Sequence, residues 1–405
     1  METIYDLLVL GGGPAGLAAA MYGARARMHT AIIEKGRPGG QAATTEELEN
    51  YPGFGRGTTG PGLTQAMAEH AQSFGAELIK DSIVSLDVKS FPKKVTGKKG
   101  EYLGKALVYA LGAEPRMLMV PGEGKLRGKG VSYCATCDAD LFEELEVAVV
   151  GSGDAAIEEA EYLSKFADQV SIIVIHEEGK VDANQVSFER AQQNPKIKWV
   201  WNSIVKSVNG DELVESITLK NIQTGEESDY PVNGVFIFIG TVPLTDIFPA
   251  EVQLNPQGYI ITDEKMATSL EGLFAAGDVR AKYLRQVVTA ASDGAIAAVA
   301  AEKYVHETEL WKNQVIEAKK PVLVAYYNPA DMSGTEKIGI VDRFVRANQE
   351  RFSLVKVDAT RNELVGRRYH ITPDQLPKLH VFMNGEIKQE VAEINEESLN
   401  AIKNM

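Results

Sequence analysis

Residues 4–35 read IYDLLVLGGGPAGLAAAMYGARARMHTAIIEK and carry the pattern that decides the fold. The apolar run at the start predicts a buried strand, the small residues in the middle predict a helix, and TAIIEK predicts a second strand. Gly11, Gly13 and Gly16 stand at the first turn in the G-x-G-x-x-G spacing. This spacing allows a tight turn and a close approach of the backbone to a pyrophosphate at the helix N-terminus. The stretch is therefore predicted to be a dinucleotide-binding β-α-β unit.

Glu34 supports this prediction, because it ends the second predicted strand 18 residues after Gly16. An acid at about this distance typically accepts hydrogen bonds from a ribose hydroxyl. The strand, the glycine turn, the helix and the acid thus indicate the same nucleotide site.

The pattern occurs a second time in the middle of the chain. LEVAVVG (145–151) predicts a strand, and VSIIVIHEE (170–178) predicts the next strand, which ends in acids. Between them, Gly151, Gly153 and Ala156 precede a predicted helix. Two dinucleotide sites in one chain indicate two cofactors that pass a hydride between them.

Length, charge and composition exclude several classes of protein. A chain of 405 residues is expected to form two or three domains. A net charge of −14 argues against nucleic acid and anionic membranes as partners, and no apolar run reaches the roughly 18 residues of a membrane span. The N-terminus lacks the basic residues of a signal peptide, and two cysteines make no disulfide framework. We therefore expect a cytoplasmic protein.

Cys134 and Cys137 are the only cysteines and stand in VSYCATCDADLF (131–142), between the two nucleotide motifs. Structural zinc needs four ligands, usually as two closely spaced pairs, and the six histidines are scattered, so we predict no metal site. A disulfide across two intervening residues closes too short a loop to stabilise the fold much. Thiol redox chemistry is the use that fits this spacing.

A third nucleotide feature lies further along the chain. LFAAGD predicts a strand with Asp278 at its end, followed by a helix rich in small residues. An acid in this place can accept hydrogen bonds from ribityl or ribose hydroxyls. Taken alone, it is better explained as an N-capping Asp in a surface turn.

Together these segments resemble the low-molecular-weight thioredoxin reductases over about residues 1–308. The resemblance rests on segments that occur in one order at fitting spacings: GGGPAG, PGGQAATTEELENYPGF (38–54), YALGAEPR (109–116), CATCD, the second glycine motif, AAGDVR and LRQVVTAASDGAIAA. It implies an α/β fold with two Rossmann-like domains, in which a nicotinamide-type domain (118–246) interrupts a FAD domain (1–117 and 247–308). It is specific, because other flavoprotein disulfide reductases carry their cysteine pair near the first glycine motif.

The resemblance also implies which residues hold the two cofactors. FAD would be held by Gly11, Gly13, Pro14, Ala15, Gly16, Glu34, Gln41, Asn50, Gly112, Asp278, Arg285, Gln286 and Val287. The nicotinamide nucleotide would be held by Gly151, Gly153, Asp154, Ala155, Ala156, His176 and Glu177.

The resemblance implies that Cys134, Cys137 and Asp138 are the catalytic residues. Electrons from the flavin would open the disulfide through Cys137, and the Cys134 thiolate would then attack the disulfide of a thioredoxin-like protein. Asp138 would protonate a leaving thiolate, although an N-cap for the following helix is a second role open to it. The resemblance further implies a homodimer, and a rotation of the inserted domain about hinges near 115–120 and 243–247.

The second nucleotide site departs from the family pattern. NADPH-dependent members carry arginines after the second strand, whereas this chain reads HEEGKVDA, with Glu177 and Glu178 beside His176. Acids repel a 2′-phosphate, but one acid can accept a hydrogen bond from a free 2′-hydroxyl, so we predict NADH rather than NADPH. Two alternatives stay open: a ferredoxin-type donor in place of the nicotinamide, and a redox-responsive flavin-binding interaction module with little turnover.

The C-terminal part resembles a different family, thioredoxin itself. After a linker at 309–318, residues 319–405 predict a strand, a helix, a strand, a hairpin that turns at Asn384-Gly385, and a last helix, with Pro377 at the position of that family's cis-proline. Residues 331–334 read DMSG where thioredoxin has its CxxC, so this domain carries no redox thiol. We expect the acid of DMSG to cap the helix, and the function of the domain stays open.

Overall fold

The computed structural model describes residues 3–44, 48, 50–55 and 57–403. The chain forms two compact units, Met1–Ala301 and Glu302–Met405. Within the described ranges, no helix has the length and apolar character needed to cross a membrane.

The first unit alternates strands and helices as the two glycine motifs predict. Its strands are β1 (Ile4–Leu10), β2 (Thr30–Glu34), β3 (Glu77–Lys80), β4 (Ile83–Asp87), β5 (Lys93–Gly97), β6 (Glu101–Tyr109), β7 (Ala113–Pro115), β8 (Val131–Ser132), β9 (Glu146–Val150), β10 (Gln169–Ile173), β11 (Ile197–Val200), β12 (Ser203–Asn209), β13 (Ser216–Asn221), β14 (Glu227–Pro231), β15 (Gly234–Ile237), β16 (Thr241–Pro243) and β17 (Leu273–Ala275). Its helices are α1 (Pro14–Arg25), α2 (Gly60–Ser73), α3 (Ala135–Asp138), α4 (Asp154–Leu163), α5 (Gln185–Gln192) and α6 (Val287–Trp311), the last of which continues into the second unit.

β1 lies inside the first sheet, whose order is β3-β2-β1-β6-β5-β4. It pairs in parallel with β2 and β6, and β17 joins the sheet beside β6. The side chains from Leu7 to Leu10 are fully buried, as expected of a parallel strand that is covered on both faces. The glycine turn follows the C-terminal end of β1, which is the end of the strands at which open α/β sheets bind ligands.

The second sheet has the order β11-β10-β9-β15-β8, and its strands are all parallel. An antiparallel sheet, β12-β13-β14, is formed by the segment between β11 and β15 of the chain. β10 ends at Ile173, earlier than the predicted 178. Val174 is still buried, but Ile175 is half exposed, and the polar residues from His176 onward have no place in a buried parallel strand. Glu177 therefore lies in the loop after β10 and is exposed.

The two connections between these sheets pair with each other. β7 leads out of the first sheet and β16 leads back, and they form an antiparallel pair in which Pro115 is opposite Thr241. The ranges predicted as hinges, 115–120 and 243–247, begin at the ends of these two strands.

The second unit is a smaller α/β fold with one sheet. Its elements are β18 (Val322–Tyr327), α7 (Met332–Ala347), β19 (Ser353–Asp358), α8 (Glu363–Arg368), β20 (Lys378–Met383), β21 (Glu386–Val391) and α9 (Glu396–Ile402). The sheet order is β19-β18-β20-β21. The Leu376–Pro377 peptide bond is cis, and Asn384 and Gly385 form the hairpin turn with positive φ. Asp331 caps α7, as predicted, because its side chain accepts a hydrogen bond from the Ser333 N–H.

The segment predicted as a linker, 309–318, belongs to the core of this second unit. α6 runs on to Trp311, and a π-helical turn follows over Lys312–Ile316. The Trp311 and Val315 side chains are buried against Phe382 and its neighbours. An apolar residue at every fourth position gives this otherwise polar helix one buried face.

Candidate active site

The cysteine pair lies at a single helical turn between β8 and β9. The sulfurs of Cys134 and Cys137 are bonded to each other. Cys134 is the N-cap of α3, and both cysteines are half-buried. A short turn with partly accessible sulfurs suits a disulfide that must be opened and re-formed.

Thr136, inside the CATC turn, connects the disulfide to the predicted flavin site. Gln286 donates a hydrogen bond from Nε2 to Thr136 Oγ1 at 3.0 Å, and the Asn50 amide lies 3.4 Å from the Thr136 carbonyl oxygen. The Asn50 amide also donates to Gln286 Oε1 at 3.3 Å. The structure therefore brings the CATC turn against two of the residues predicted to hold FAD.

Asp138 contacts Ser132 rather than the helix that follows it. Ser132 Oγ donates to Asp138 Oδ2 at 2.5 Å and accepts from the Cys134 N–H at 3.1 Å. The next turn, over Ala139–Phe142, receives no side-chain cap from Asp138, so the capping role is not observed. Ser132 thus links the Asp138 carboxyl to the backbone of Cys134, which the sequence did not show.

The first glycine turn is too tight for side chains. Gly11 has φ +104°, and a Cβ at Gly16 would collide with the Gly11 carbonyl oxygen. Glu34 accepts hydrogen bonds from the N–H groups of Gly12, at 2.7 Å, and Gly36, at 2.8 Å. The carboxylate is thereby fixed beside the turn, where a ribose is expected.

Further along, two buried polar atoms of the predicted FAD residues make no hydrogen bond within the described residues. They are Asp278 Oδ1 and Arg285 Nε. The Arg285 guanidinium stacks on the Tyr259 ring at 4.1 Å. An acceptor and a donor that are buried without partners fit a cofactor that carries hydroxyls and phosphates, so these residues fit FAD.

The remaining predicted FAD residues occupy the same end of the first sheet or the turn region beside it. Gly13 is the N-cap of α1, Pro14 and Ala15 begin that helix, and Val287 begins α6. A Cβ at Gly112 would have no neighbour within 4 Å, and Gln41 accepts a hydrogen bond from Arg127 at 3.3 Å.

The second glycine turn has the same construction. Gly151 has φ +136°, and a Cβ there would collide with the Phe238 carbonyl oxygen. Gly153, the N-cap of α4, has nothing within 4 Å of a built Cβ, and Ala156 is fully buried. The turn is therefore tight on one side and open on the other, as a pyrophosphate requires. Ala155 is exposed on the first turn of α4.

Acidic groups surround this second turn. Asp182, which the sequence analysis missed, accepts hydrogen bonds from Ser152 Oγ at 2.8 Å and contacts His176 Nε2 at 3.0 Å. The His176 contact holds the pKa of Asp182 below its usual range. Glu177 forms an ion pair with Lys180, and this pair lowers the pKa of Glu177. Both acids are therefore charged at neutral pH, and Lys180 is already paired with Glu177.

Asp154, the first residue of α4, is held by Asn184. Its Oδ1 accepts from the Asn184 N–H at 2.7 Å and from the Asn184 amide at 2.8 Å. These bonds lower the pKa of Asp154. A further negative charge thus stands at the helix end predicted to meet the nucleotide.

Comparison with known proteins agrees with this geometry. The sequence profile described as "Pyridine nucleotide-disulphide oxidoreductase" matches residues 5–294. A thioredoxin reductase of Peptoclostridium acidaminophilum is 52% identical over 311 residues, which cover 75% of this chain and 98% of that protein. The thioredoxin reductase of Bacillus subtilis (strain 168) is 46% identical over 310 residues, which cover 76% of this chain and 97% of that protein. The chain belongs to the thioredoxin reductase family.

A solved thioredoxin reductase has the same fold. The structure from Streptococcus pyogenes MGAS5005 matches with a TM-score of 0.70 and 39% identity, and covers 76% of this chain and 100% of its own. As a member of the thioredoxin reductase family, the chain is an oxidoreductase of that type, with FAD and a nicotinamide cofactor. Among the described residues, no group of three or more histidine, cysteine or acidic side chains is arranged to hold a metal ion.

Glu159, on α4, is a further ionisable group at the CATC turn. Its carboxylate accepts a hydrogen bond from the Thr136 N–H, and its Oε2 is buried without a hydrogen-bond partner in the described residues. Burial, with the adjacent Glu158 charge adding to it, raises the pKa of Glu159 to about 7. No sequence motif indicates this contact, because α4 and the CATC turn meet only in the folded protein.

We expect Glu159→Gln to change how stability depends on pH. Between pH 4.5 and about 7 the folded protein keeps a proton on Glu159 that the unfolded chain has released, so stability falls as pH rises through this window. From pH 5 to pH 8, the free energy of unfolding of the wild type should fall by roughly 1–3 kcal/mol more than that of Glu159→Gln. Chemical denaturation of the oxidised, FAD-loaded proteins measures this difference.

Glu143→Gln is the control, because Glu143 is exposed and belongs to the same domain. It should follow the wild type at both pH values. Parallel behaviour of Glu159→Gln and the wild type would show that Glu159 has an ordinary pKa.

Proposed function

We propose that the chain is a flavoprotein disulfide reductase that takes electrons from NADH and reduces a thioredoxin-like protein through FAD and the Cys134–Cys137 disulfide. The observation that supports it best is the contact of the CATC turn with Asn50 and Gln286, two residues predicted to hold FAD. The absence of any other cysteine from the chain means that electrons leaving this pair go to a separate molecule.

The residues of the chain would act in a definite order. Bound FAD would supply hydride acceptance from the nicotinamide and the transfer of two electrons to the disulfide. Gln286 and Asn50 hold the CATC turn in place for that transfer. After reduction, the Cys134 thiolate attacks one sulfur of the partner disulfide, and the partner's other sulfur leaves as a thiolate. Asp138 provides the proton for that leaving group.

The release step completes the exchange. The Cys137 thiolate attacks the mixed disulfide at Cys134, so the Cys134–Cys137 bond re-forms and the partner departs as a dithiol. Ser132 bonds to both the Asp138 carboxyl and the Cys134 N–H. These two bonds keep the acid close to the Cys134 sulfur, which changes charge during the exchange.

The preference for NADH rests on the charges around the second glycine turn. Glu177, Asp182 and Asp154 all have lowered pKa values and are charged at neutral pH. A 2′-phosphate of NADPH carries a charge near −2 and would be repelled by this group of acids. The ribose of NADH carries a hydroxyl instead, which donates a hydrogen bond to a carboxylate.

Anaerobic titration of the FAD-loaded protein tests the proposal. NADH should bleach the visible absorbance of the oxidised flavin. Subsequent addition of an oxidised thioredoxin should restore this absorbance, with formation of thiols on the thioredoxin. Bleaching by reduced ferredoxin but not by NADH or NADPH would show that a ferredoxin-type protein, and not a nicotinamide, is the electron donor. Bleaching without loss of the partner's disulfide would favour the interaction-module alternative.

We also propose that the domain at 118–246 rotates during turnover. The disulfide and the predicted nicotinamide site share this domain, and both need to reach one flavin. In this structure the CATC turn faces the FAD residues, so the nicotinamide would need a second arrangement. The paired strands β7 and β16 are the connections about which the domain would turn.

A chemical crosslink between Gln41 and Arg127 should stop turnover. These side chains are hydrogen-bonded across the two predicted domains, so a short bifunctional thiol reagent can join cysteines at the two positions. The reagent is applied to the oxidised protein, in which the native cysteines are bonded to each other. We expect at least a roughly tenfold loss of NADH-dependent disulfide reduction, because the crosslink blocks a required conformational step.

The same double variant treated with a monofunctional thiol reagent is the control, and the loss is measured against its activity because Gln41 is itself a predicted FAD residue. Full activity in the crosslinked protein, with the crosslink verified by mass, would contradict the rotation.

The remaining expectations are part of the same proposal. The second unit would be a thioredoxin-like domain without redox thiols, the protein would be a homodimer, and it would act in the cytoplasm. Sedimentation of the FAD-loaded protein tests the dimer directly. A monomer at micromolar concentration would contradict it.

A further inference from the structure

Asp293, on α6, is the centre of a buried ion cluster that the proposed reaction does not use. Its side chain accepts hydrogen bonds from Gly277 N–H at 3.1 Å, from Arg280 at 2.8 and 3.1 Å, and from Lys282 at 2.8 Å. Only 5% of Asp293 is exposed. Burial opposes its charge, but the hydrogen bonds from Arg280 and Lys282 outweigh this and keep the pKa of Asp293 below its usual range.

Lys282 links this cluster to the predicted FAD site. Its ammonium group lies 2.8 Å from Asp293 Oδ2 and 3.9 Å from Asp278 Oδ1, and its side chain is 6% exposed. Asp278 Oδ1 is the buried acceptor that has no hydrogen-bond donor in the described structure. Lys282 thus lies between an acid that is fully hydrogen-bonded and an acid that has an unused acceptor atom.

The Asp278 side chain is 34% exposed, but its Oδ1 is buried without a donor in the described structure, so a nearby cation favours its ionised form. Burial raises the pKa of Asp278, and the charges of Lys282 and Arg285 oppose that rise. Lys282 makes only one short bond to a carboxylate, and Asp293 fixes it in place. Loss of Lys282 would remove one of these two cations from Asp278, whereas Asp293 would keep its bonds from Arg280. Loss of Asp293 would remove the bond that fixes Lys282 beside Asp278.

We propose that Lys282 and Asp293 are positioning residues that hold Asp278 charged and aimed, so that Asp278 Oδ1 accepts a hydrogen bond from a hydroxyl of FAD. The inference rests on the proposed function, because it takes Asp278 as a FAD ligand. It adds two residues that the glycine motifs do not indicate and gives the unused acceptor a chemical partner. A purely structural role would require the cluster only for packing the loop after β17 onto α6.

A double-mutant cycle on FAD affinity tests the proposal. FAD is removed, and its dissociation constant is measured by fluorescence quenching for wild type, Asp278→Asn, Lys282→Met and the double variant. We expect Asp278→Asn and Lys282→Met each to weaken FAD binding by about tenfold or more, since a hydrogen bond to a charged group is lost. In the Asp278→Asn background, Lys282→Met should cost less than about twofold, because Lys282 acts through Asp278.

The outcomes distinguish the FAD site at Asp278 from the positioning role of Lys282. An unchanged affinity in Asp278→Asn would overturn the FAD site itself, and with it this proposal. A loss in Lys282→Met that is equally large with and without Asp278 would overturn the positioning role alone and assign Lys282 to packing.

Two further variants keep the test decisive. Lys198→Met removes an exposed lysine from the second sheet and should leave FAD affinity unchanged. Asp293→Asn keeps the size of the side chain, so it serves if Lys282→Met does not fold. It should show the same dependence on Asp278, and an equal loss in both backgrounds would again overturn the proposal.

Discussion

Cys137→Ser should lower the reduction of a thioredoxin disulfide by at least about a thousandfold, since a single remaining thiol cannot accept and release two electrons as a disulfide. The variant should still bind FAD, because the hydrogen bonds from the CATC turn to Gln286 and Asn50 are made by Thr136 and not by a cysteine sulfur. It should also trap the partner: Cys134 forms a mixed disulfide that no second cysteine can resolve. Non-reducing electrophoresis and mass spectrometry detect the covalent complex.

Cys134→Ser is the matched variant. It should lose activity to the same extent but form no trapped complex, because the attacking thiol is the one that was removed. If Cys134→Ser trapped the partner and Cys137→Ser did not, the two roles would be reversed while the disulfide relay itself would stand. Substantial activity in both variants would contradict the relay.

The second large effect is expected at the nicotinamide site. We expect the wild type to use NADH with kcat/KM at least about tenfold above that for NADPH, because fixed acids near the ribose repel a phosphate. Glu177→Arg with Glu178→Arg should reduce or invert this ratio, since arginine binds phosphate through two parallel hydrogen bonds. Steady-state kinetics with both nucleotides measures the change.

Glu226→Arg with Glu227→Arg is the control for the change in net charge. Both residues are exposed and belong to the same predicted domain: Glu227 begins β14, and Glu226 directly precedes that strand. The control should keep the wild-type ratio. A wild type that prefers NADPH, or a ratio that moves equally in both double variants, would contradict the role of Glu177 and Glu178.

Local patterns predicted much of the fold. The run IYDLLVL before the first glycine motif forms β1, Ile4–Leu10, because a buried parallel strand is recognisable from its largely apolar sequence. The hairpin turn at Asn384-Gly385 followed from residues that tolerate positive φ. The predicted end of β10 was wrong, since the strand ends at Ile173 and the polar residues from His176 onward form a loop.

The site was predictable where function depends on a motif and not where it depends on distant contacts. Cys134, Cys137 and the glycines stand in fixed local spacings. Ser132, two residues before Cys134, was overlooked because serine occurs widely and its bond to Asp138 has no sequence signature. Glu159 and Asp293 reach their partners across other elements of the fold, so only the folded protein reveals them.

The pairing of β7 with β16 has a consequence for how the protein is organised along its chain. The two strands form the stem of a hairpin, and the whole segment between Pro115 and Thr241 is the loop of that hairpin. The ends of this segment are therefore already adjacent, so the segment is inserted as a cassette into the part of the chain predicted to bind FAD. Its excision, with a two-residue turn joining the stem, would leave every strand of the first sheet in its original order.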